Sequence, residues 1–294
     1  MKTPLFTGSG VAIVTPFTKD NIDFEAFGRL IDWQIDSGTD AIIVCGTTGE
    51  AATMDPRERR AAVAYCIHRT AGRIPVIVGC GSNCTETAIA LSREAEALGA
   101  DGLLVVTPYY NKATQEGLCR HYLAIADAVH TPIIVYNVPS RTGVSCTAET
   151  YEKLAAHPNI NGIKEASGNF ALIQDTRNRC SELAIWSGND EDTTAICALG
   201  GKGVISVAAN IIPRDMHDLT QLCFENDFRS AGELQLRMTD LLRTLFCEVN
   251  PIPIKTAMQL LGLCSAQLRL PLCELREENL PRLQKAIDTY GVTL

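Results

Sequence analysis

The stretch PVIVGCGSNCTETAIALSREAEALGADGLLVVTPYYN, residues 75–111, holds the repeating plan of the whole chain. It opens on PVIVGC (75–80), a run that is short and continuously apolar, as a strand buried on both faces must be. From Thr85 the pattern changes: ETAIALSREAEALGA spaces its apolar residues at helical intervals and ends near Gly99, placed as a C-cap. A second run, GLLVVTP (102–108), then repeats the first. Strand, helix and strand joined by short turns form one unit of a parallel sheet.

Working outward, the same kind of run recurs at GVAIVTPF (10–17), AIIVCG (41–46), PIIVYN (132–137), INGIKEA (160–166), LAIWSG (183–188) and GVISVAAN (203–210). Helix signals lie between them. Asp23 is an N-cap candidate before FEAFGRLIDWQIDSG, Asp55-Pro56 puts proline at a first helical position with Glu58 three residues after Asp55, and Thr147 opens AETYEKLAAH. Eight such alternations predict an α/β fold, a closed (β/α)8 TIM barrel. The competing open, doubly wound sheet lacks its usual mark, since no G-x-G-x-x-G follows the first run. Past about residue 213 the strands stop. Helical patterns continue through 214–226, 228–248, 255–263 and 277–290, with Pro251, Pro253, Pro271 and Pro281 between or within them. The expected organisation is a barrel over 1–225 and a C-terminal helical region over 226–294.

Composition narrows the function classes. Hydrophobic residues are 46% and charged residues 20% of 294, the balance of a soluble globular protein. The net charge is −8 and no run of Lys or Arg occurs, so neither a nucleic acid nor a membrane surface is an expected partner. The start, MKTPLFTGSG, lacks the features of a secretion signal and no stretch is apolar for long enough to span a bilayer, so the expected location is cytoplasmic. Twelve cysteines contain no C-x-x-C pair, and most sit in apolar runs, as Cys45 and Cys197 do. Buried, reduced thiols are expected, with no metal site.

In a barrel of this kind chemistry gathers at the C-terminal ends of the strands. Lys164 lies inside INGIKEA, where alternation puts Gly162, Lys164 and Ala166 on one face, leaving room around the amine. A desolvated lysine has a lowered pKa and an amine free to attack a carbonyl. The alternative is a structural ion pair, with Glu165 as partner, although Glu165 falls on the opposite face. Tyr136, which shares an inward face with Ile134, is placed to move protons, or else is a core tyrosine with a satisfied hydroxyl. Gly46-Thr47-Thr48-Gly49-Glu50 offers hydroxyls and backbone N–H groups for a carboxylate, though many turns share that composition. Arg141, in PSRTG (139–143), is either a carboxylate clamp or a solvated loop residue. Tyr109 and Tyr110 are adjacent aromatics that could equally cover an edge or an interface.

Taken together and in order, GTTGE (46–50), TPYYN (107–111), YNVPSRTG (136–143), IKEASG (163–168), GGKGVISVAAN (200–210) and NPIPIK (250–255) resemble the dihydrodipicolinate synthase and N-acetylneuraminate lyase family over nearly the whole chain. The resemblance implies a Schiff-base lyase that condenses pyruvate with L-aspartate 4-semialdehyde, on the route to diaminopimelate and lysine, with no cofactor beyond the covalent adduct. It implies that Lys164 is the Schiff-base lysine. Tyr136, Thr47 and Tyr110 match a proton relay in which Tyr110 serves a neighbouring subunit. Gly46 and Thr48 match the carboxylate cradle, Ile205 a backbone carbonyl lining the pocket, and Arg141 the clamp for the second substrate. It also implies a homo-oligomer, commonly a tetramer built from two dimers. Relatives inhibited by lysine carry a His at the position of Pro56, a His or similar group at Arg59 and a Glu at Thr87. Here Asn83 and Tyr109 match and those three do not, so weak or absent feedback is expected. A sugar-acid lyase would share the same amine, but Arg141 favours a substrate with a second carboxylate. A keto-acid binder without catalysis would not need the full set of Lys164, Tyr136, Thr47 and Tyr110.

Overall fold

The computed structural model describes residues 2–19 and 21–292. Eight parallel strands close into a barrel in sequence order: β1 (Gly8–Ala12), β2 (Ala41–Val44), β3 (Val76–Gly79), β4 (Gly102–Val106), β5 (Ile133–Asn137), β6 (Ile160–Glu165), β7 (Ala184–Ser187) and β8 (Gly203–Ser206). The first run was expected over 10–17. The strand instead begins at Gly8 and ends at Ala12, and the buried residues that follow leave the sheet, with Thr15 Oγ1 donating to the Gly49 carbonyl at 2.8 Å.

Helices α1 (Phe24–Asp36), α2 (Pro56–Thr70), α3 (Thr85–Ala97) and α4 (Gln115–Asp127) follow the first four strands. The one-turn α5 (Pro139–Thr142) and then α6 (Ala148–Ala155) follow β5, while α7 (Phe170–Arg179), α8 (Thr193–Ala198) and α9 (Pro213–Phe224) follow the rest. The cap signals act as read. Asp23 accepts from Ala26 N–H, Thr147 from Thr150 N–H, and Asp55 with Glu58 forms a reciprocal capping box. Gly99 has φ +90° just past α3, a left-handed turn that glycine enters without cost. Beyond the barrel run α10 (Phe228–Thr244), α11 (Ile252–Leu260) and α12 (Leu280–Tyr290). α11 starts three residues before the expected 255 because Pro251 is its N-cap and Pro253 sits in its first turn, where the missing N–H groups lose no bond.

Apolar side chains form two shells. Residues such as Val11, Ile42, Val78 and Val135 point outward against the helices. Ala12, Ile43, Ile77, Leu104, Ile134, Tyr136 and Trp186 fill the inside, with Phe6 stacked on Trp186 at 4.9 Å. One irregularity decides which way β6 faces. Ile133 pairs with Ile160, but Ile134 pairs with Gly162, so Asn161 is an extra residue. Asn161 is held there by the N-terminal segment, accepting from Leu5 N–H at 3.2 Å and donating to the Thr3 carbonyl at 2.8 Å. Ile160 and Ile163 both face outward as a result, and Lys164 falls beside Tyr136 in register, on the inside.

All twelve cysteines are free. Eight are buried, Cys247 and Cys264 are half-buried, and Cys84 and Cys273 are exposed, against the expectation of burial. No described helix is long and apolar enough to cross a membrane.

Candidate active site

A cavity of about 780 Å³ opens at the C-terminal ends of the strands, within the range of small-molecule sites. Gly46, Thr47, Thr48, Tyr136, Arg141 and Lys164 all line it. Residues read from three separate motifs, GTTGE, YNVPSRTG and IKEASG, therefore converge.

Lys164 is buried, with its Nζ 4.4 Å from the centroid of the Tyr136 ring. Burial lowers its pKa to about 8 from an ordinary 10.5, with Asp190 opposing the shift and the Arg141 guanidinium adding to it. A useful fraction of neutral amine therefore exists near neutral pH. The space beside Lys164 was expected from Gly162 and Ala166 together. Ala166 does line the cavity, but a Cβ on Gly162 would lie 2.4 Å from the Ala184 carbonyl oxygen and 2.7 Å from the Trp186 ring. That space is filled by Trp186. Glu165 turns the other way, as alternation requires. Its carboxylate accepts from Asn137 at 3.0 Å, Tyr151 at 3.0 Å and Ser167 N–H at 2.8 Å, which braces β6 from behind and leaves no ion pair with Lys164.

Burial raises the pKa of the Tyr136 phenol, opposed by Arg141 and by the adjacent Thr47. The phenol keeps its proton until a base or a developing anion draws on it. Thr48 is buried and its Oγ1 accepts from Asn250 Nδ2 at 2.9 Å. Arg141, in α5, donates to the Asn250 carbonyl at 3.2 Å, so its fork is pinned on one side and exposed on the other. Asn250 thus reaches Thr48 and Arg141 at once. Sequence reading had NPIPIK as a motif but no reason to send Asn250 to the barrel mouth.

Two expected residues stand apart. Ile205, expected to line the pocket with its backbone carbonyl, is fully buried inside the barrel and is not among the residues that border the cavity. Tyr110 is 89% exposed and outside the cavity, at φ +74°, with its N–H donating to the Thr142 carbonyl at 3.3 Å. Tyr109, beside it, lines the cavity wall. Asp190, just after β7, was missed altogether, although the rule that acids after barrel strands carry function points to it.

A buried amine and a protonated phenol inside a closed parallel barrel define the class: an α/β barrel equipped to form a covalent adduct with a carbonyl compound. The particular family follows from comparison. The model of the dihydrodipicolinate synthetase family matches residues 5–290. The chain is 50% identical over 291 residues to the 4-hydroxy-tetrahydrodipicolinate synthase of Caldicellulosiruptor bescii, covering 99% of both chains. It is 49% identical to that of Clostridium novyi, covering 98% of both. Among solved structures, the chloride-inhibited dihydrodipicolinate synthase from Acinetobacter baumannii complexed with pyruvate superposes with a TM-score of 0.96 at 43% identity, covering 98% of this chain and 99% of that one. The chain belongs to the dihydrodipicolinate synthetase family.

Proposed function

We propose that the protein is a 4-hydroxy-tetrahydrodipicolinate synthase, condensing pyruvate with L-aspartate 4-semialdehyde. The observation that carries the reading is Lys164, a buried amine with a lowered pKa beside the Tyr136 phenol, in a chain 50% identical to an enzyme of that name. The Lys164 amine attacks the pyruvate C2 carbonyl. Loss of water leaves an iminium that draws electrons from the adjacent methyl group. A methyl proton departs, the enamine carbon attacks the aldehyde, and the aldehyde oxygen takes a proton. The substrate's own amine then displaces Lys164 by transimination and closes the ring.

Tyr136 and Thr47 carry protons between these steps, joined by Tyr110 from a second copy of the chain. The exposure of Tyr110 supports that assignment, since within one copy it has no site to serve. Gly46 and Thr48 cradle the pyruvate carboxylate, with Asn250 orienting the Thr48 hydroxyl. The Ile205 carbonyl faces the bound keto acid. Arg141 clamps the semialdehyde carboxylate. The protonated imine does the polarising that a metal or cofactor would otherwise supply. The protein works in the cytoplasm as a homo-oligomer, a tetramer of two dimers.

The test is steady-state turnover of pyruvate with L-aspartate 4-semialdehyde, coupled to a nicotinamide-dependent reductase acting on the product. A protein that traps pyruvate under borohydride yet turns over no semialdehyde would be a sugar-acid lyase instead. Arg141→Ala is expected to raise KM for the semialdehyde by about 10- to 100-fold while pyruvate trapping persists, because a charge-assisted bidentate contact is lost on one substrate only. Unchanged semialdehyde KM would remove Arg141 from the clamp role.

Free lysine is expected to leave the rate unchanged at sub-millimolar concentration. The buried Arg59 guanidinium donates to the Gly79 carbonyl, and Glu94 is already paired with Arg60 at 2.9 Å. A fixed cation without a free carboxylate is a poor host for lysine's ammonium. Inhibition curves with lysine check this directly.

A further inference from the structure

A protonated imine on Lys164 is a cation in a desolvated place, and it keeps its proton there only with a counter-charge. Among the described residues, three carboxylates are buried: Glu50, Glu165 and Asp190. Glu50 is neutralised by Lys255 at 2.7 Å, and Glu165 faces out of the barrel into its own hydrogen bonds. Asp190 is different. Its Oδ2 accepts from the N–H groups of Val207 at 3.2 Å and Ala208 at 3.1 Å, at the end of β8, and the nearby Ser206 side chain favours the ionised carboxylate. Its Oδ1 is buried and has no partner. Backbone amides thus fix one oxygen of a buried acid, and the other remains unsatisfied.

We propose that Asp190 is the counter-charge of the Schiff base: a positioning residue that holds a negative charge near Lys164 so that the buried iminium is stabilised without a contact ion pair that would tie up the amine. This rests on Lys164 being the adduct-forming lysine. Other groups bearing on the amine cannot take this part. Tyr136, on β5, is a neutral phenol. Arg141, on α5, is a cation that opposes charge on Lys164. Trp186, its register partner on β7, carries no charge, and Glu165, next on its own strand, points away. The fold places the two together: Lys164 pairs with Trp186 on β7, Gly188 and Asn189 beyond that strand line the cavity that Lys164 lines, and Asp190 follows them with its Oδ2 bonded to the N–H of Val207, another residue of the same wall. Lys164 and Asp190 also act on one another in the expected sense. The carboxylate favours the charged amine, and the amine favours the ionised carboxylate, each against the burial that works the other way.

Asp190→Asn keeps the shape and an oxygen for the Val207 and Ala208 N–H groups but removes the charge. The measurement is borohydride trapping of pyruvate on the full-length protein across neutral to alkaline pH, with thermal unfolding alongside. Without the carboxylate, Lys164 loses its proton more readily, so the midpoint of adduct formation should move about one unit lower in pH. The pyruvate concentration for half-maximal trapping should rise about tenfold, because the iminium has lost its counter-charge. An unmoved midpoint in a folded Asp190→Asn protein overturns the proposal and leaves Asp190 a structural cap on β8. Should that variant not fold, Ser206→Ala weakens the same carboxylate's ionisation and should move the midpoint the same way by less; no movement there counts equally against it. If the unaltered protein traps no pyruvate, the assignment of Lys164 itself is wrong, a failure distinguishable from the first.

Discussion

Lys164→Met is expected to abolish the pyruvate adduct and lower turnover by on the order of 10⁴-fold or more, while making the protein more stable at neutral pH. The first effect follows from covalent chemistry, since among the described residues no other amine lines the cavity. The second follows from linkage. In the folded state burial holds the Lys164 pKa at about 8, against an ordinary 10.5. Between those values the unfolded chain binds the proton and the folded chain does not, so this group's contribution to stability rises with pH across that window. Below it both states are protonated and the full cost of burying the cation remains, on the order of 3 kcal/mol at 1.36 kcal/mol per unit. Removing the charge should relieve most of that cost, and methionine fills a similar volume. Mass spectrometry after borohydride reduction with pyruvate, and urea unfolding at neutral pH, read the two effects separately. An adduct that persists in the variant would place the nucleophile elsewhere. A variant less stable than its parent would show that Lys164 makes stabilising contacts that outweigh the cost of burying its charge.

Lys255→Met is expected to do the reverse, costing about 3–5 kcal/mol of stability. Lys255 and Glu50 are both fully buried in their side chains and bridged at 2.7 Å. The same ammonium donates to the carbonyls of Thr15 and Gln267, and Glu50 also accepts from Arg269 N–H at 3.2 Å. Phe17 lies between two cations, 4.5 Å from Lys255 Nζ and 4.2 Å from the Arg269 guanidinium. Without Lys255 a carboxylate remains buried and unpaired, at the end of the loop that presents Thr47 and Thr48. Glu50 itself sits at φ +55°, a left-handed position it keeps only while its side chain is anchored. Pyruvate affinity should therefore weaken along with stability. Adding Glu50→Gln to Lys255→Met should recover part of the loss, as the stranded charge disappears. A single variant within about 1 kcal/mol of the parent in urea unfolding would mean that the pair is replaceable and that the loop stands without it.

The fold was legible because its signal is local. Most strands are short apolar runs, and several helices carry their own side-chain caps, as Asp55 and Thr147 do. Strand ends were less legible, since Val14 and Phe17 are as buried as a strand interior although the sheet has already ended. Lys164, Tyr136, Arg141 and the Gly46–Thr48 turn were legible because barrel geometry singles out the last residues of each strand. Asn250 and Asp190 were not. Asn250 bonds to Thr48 across 202 positions of sequence, and no pattern near either residue records that meeting. Asp190 lies in a loop whose composition, Asn189 through Asp192, reads as solvated. The space beside Lys164 was misjudged for a related reason. Glycine at 162 suggests emptiness, but whether a neighbour fills the gap depends on Trp186, a strand away.

The extra residue at Asn161 has a consequence for how this chain can change by insertion and deletion. Between Ile160, which faces the helices, and Lys164, which faces the axis, there are three residues where strict alternation would turn the lysine outward. Loss of the extra residue would remove the bulge and leave Gly162, Ile163 and Lys164 in strict alternation from Ile160, with the amine still facing the axis. Gain of one residue between Gly162 and Lys164, inside the paired register, would instead exchange lysine for isoleucine at the barrel mouth. The bulge is therefore the one point in this strand where length can change by a single residue without turning the amine out of the cavity.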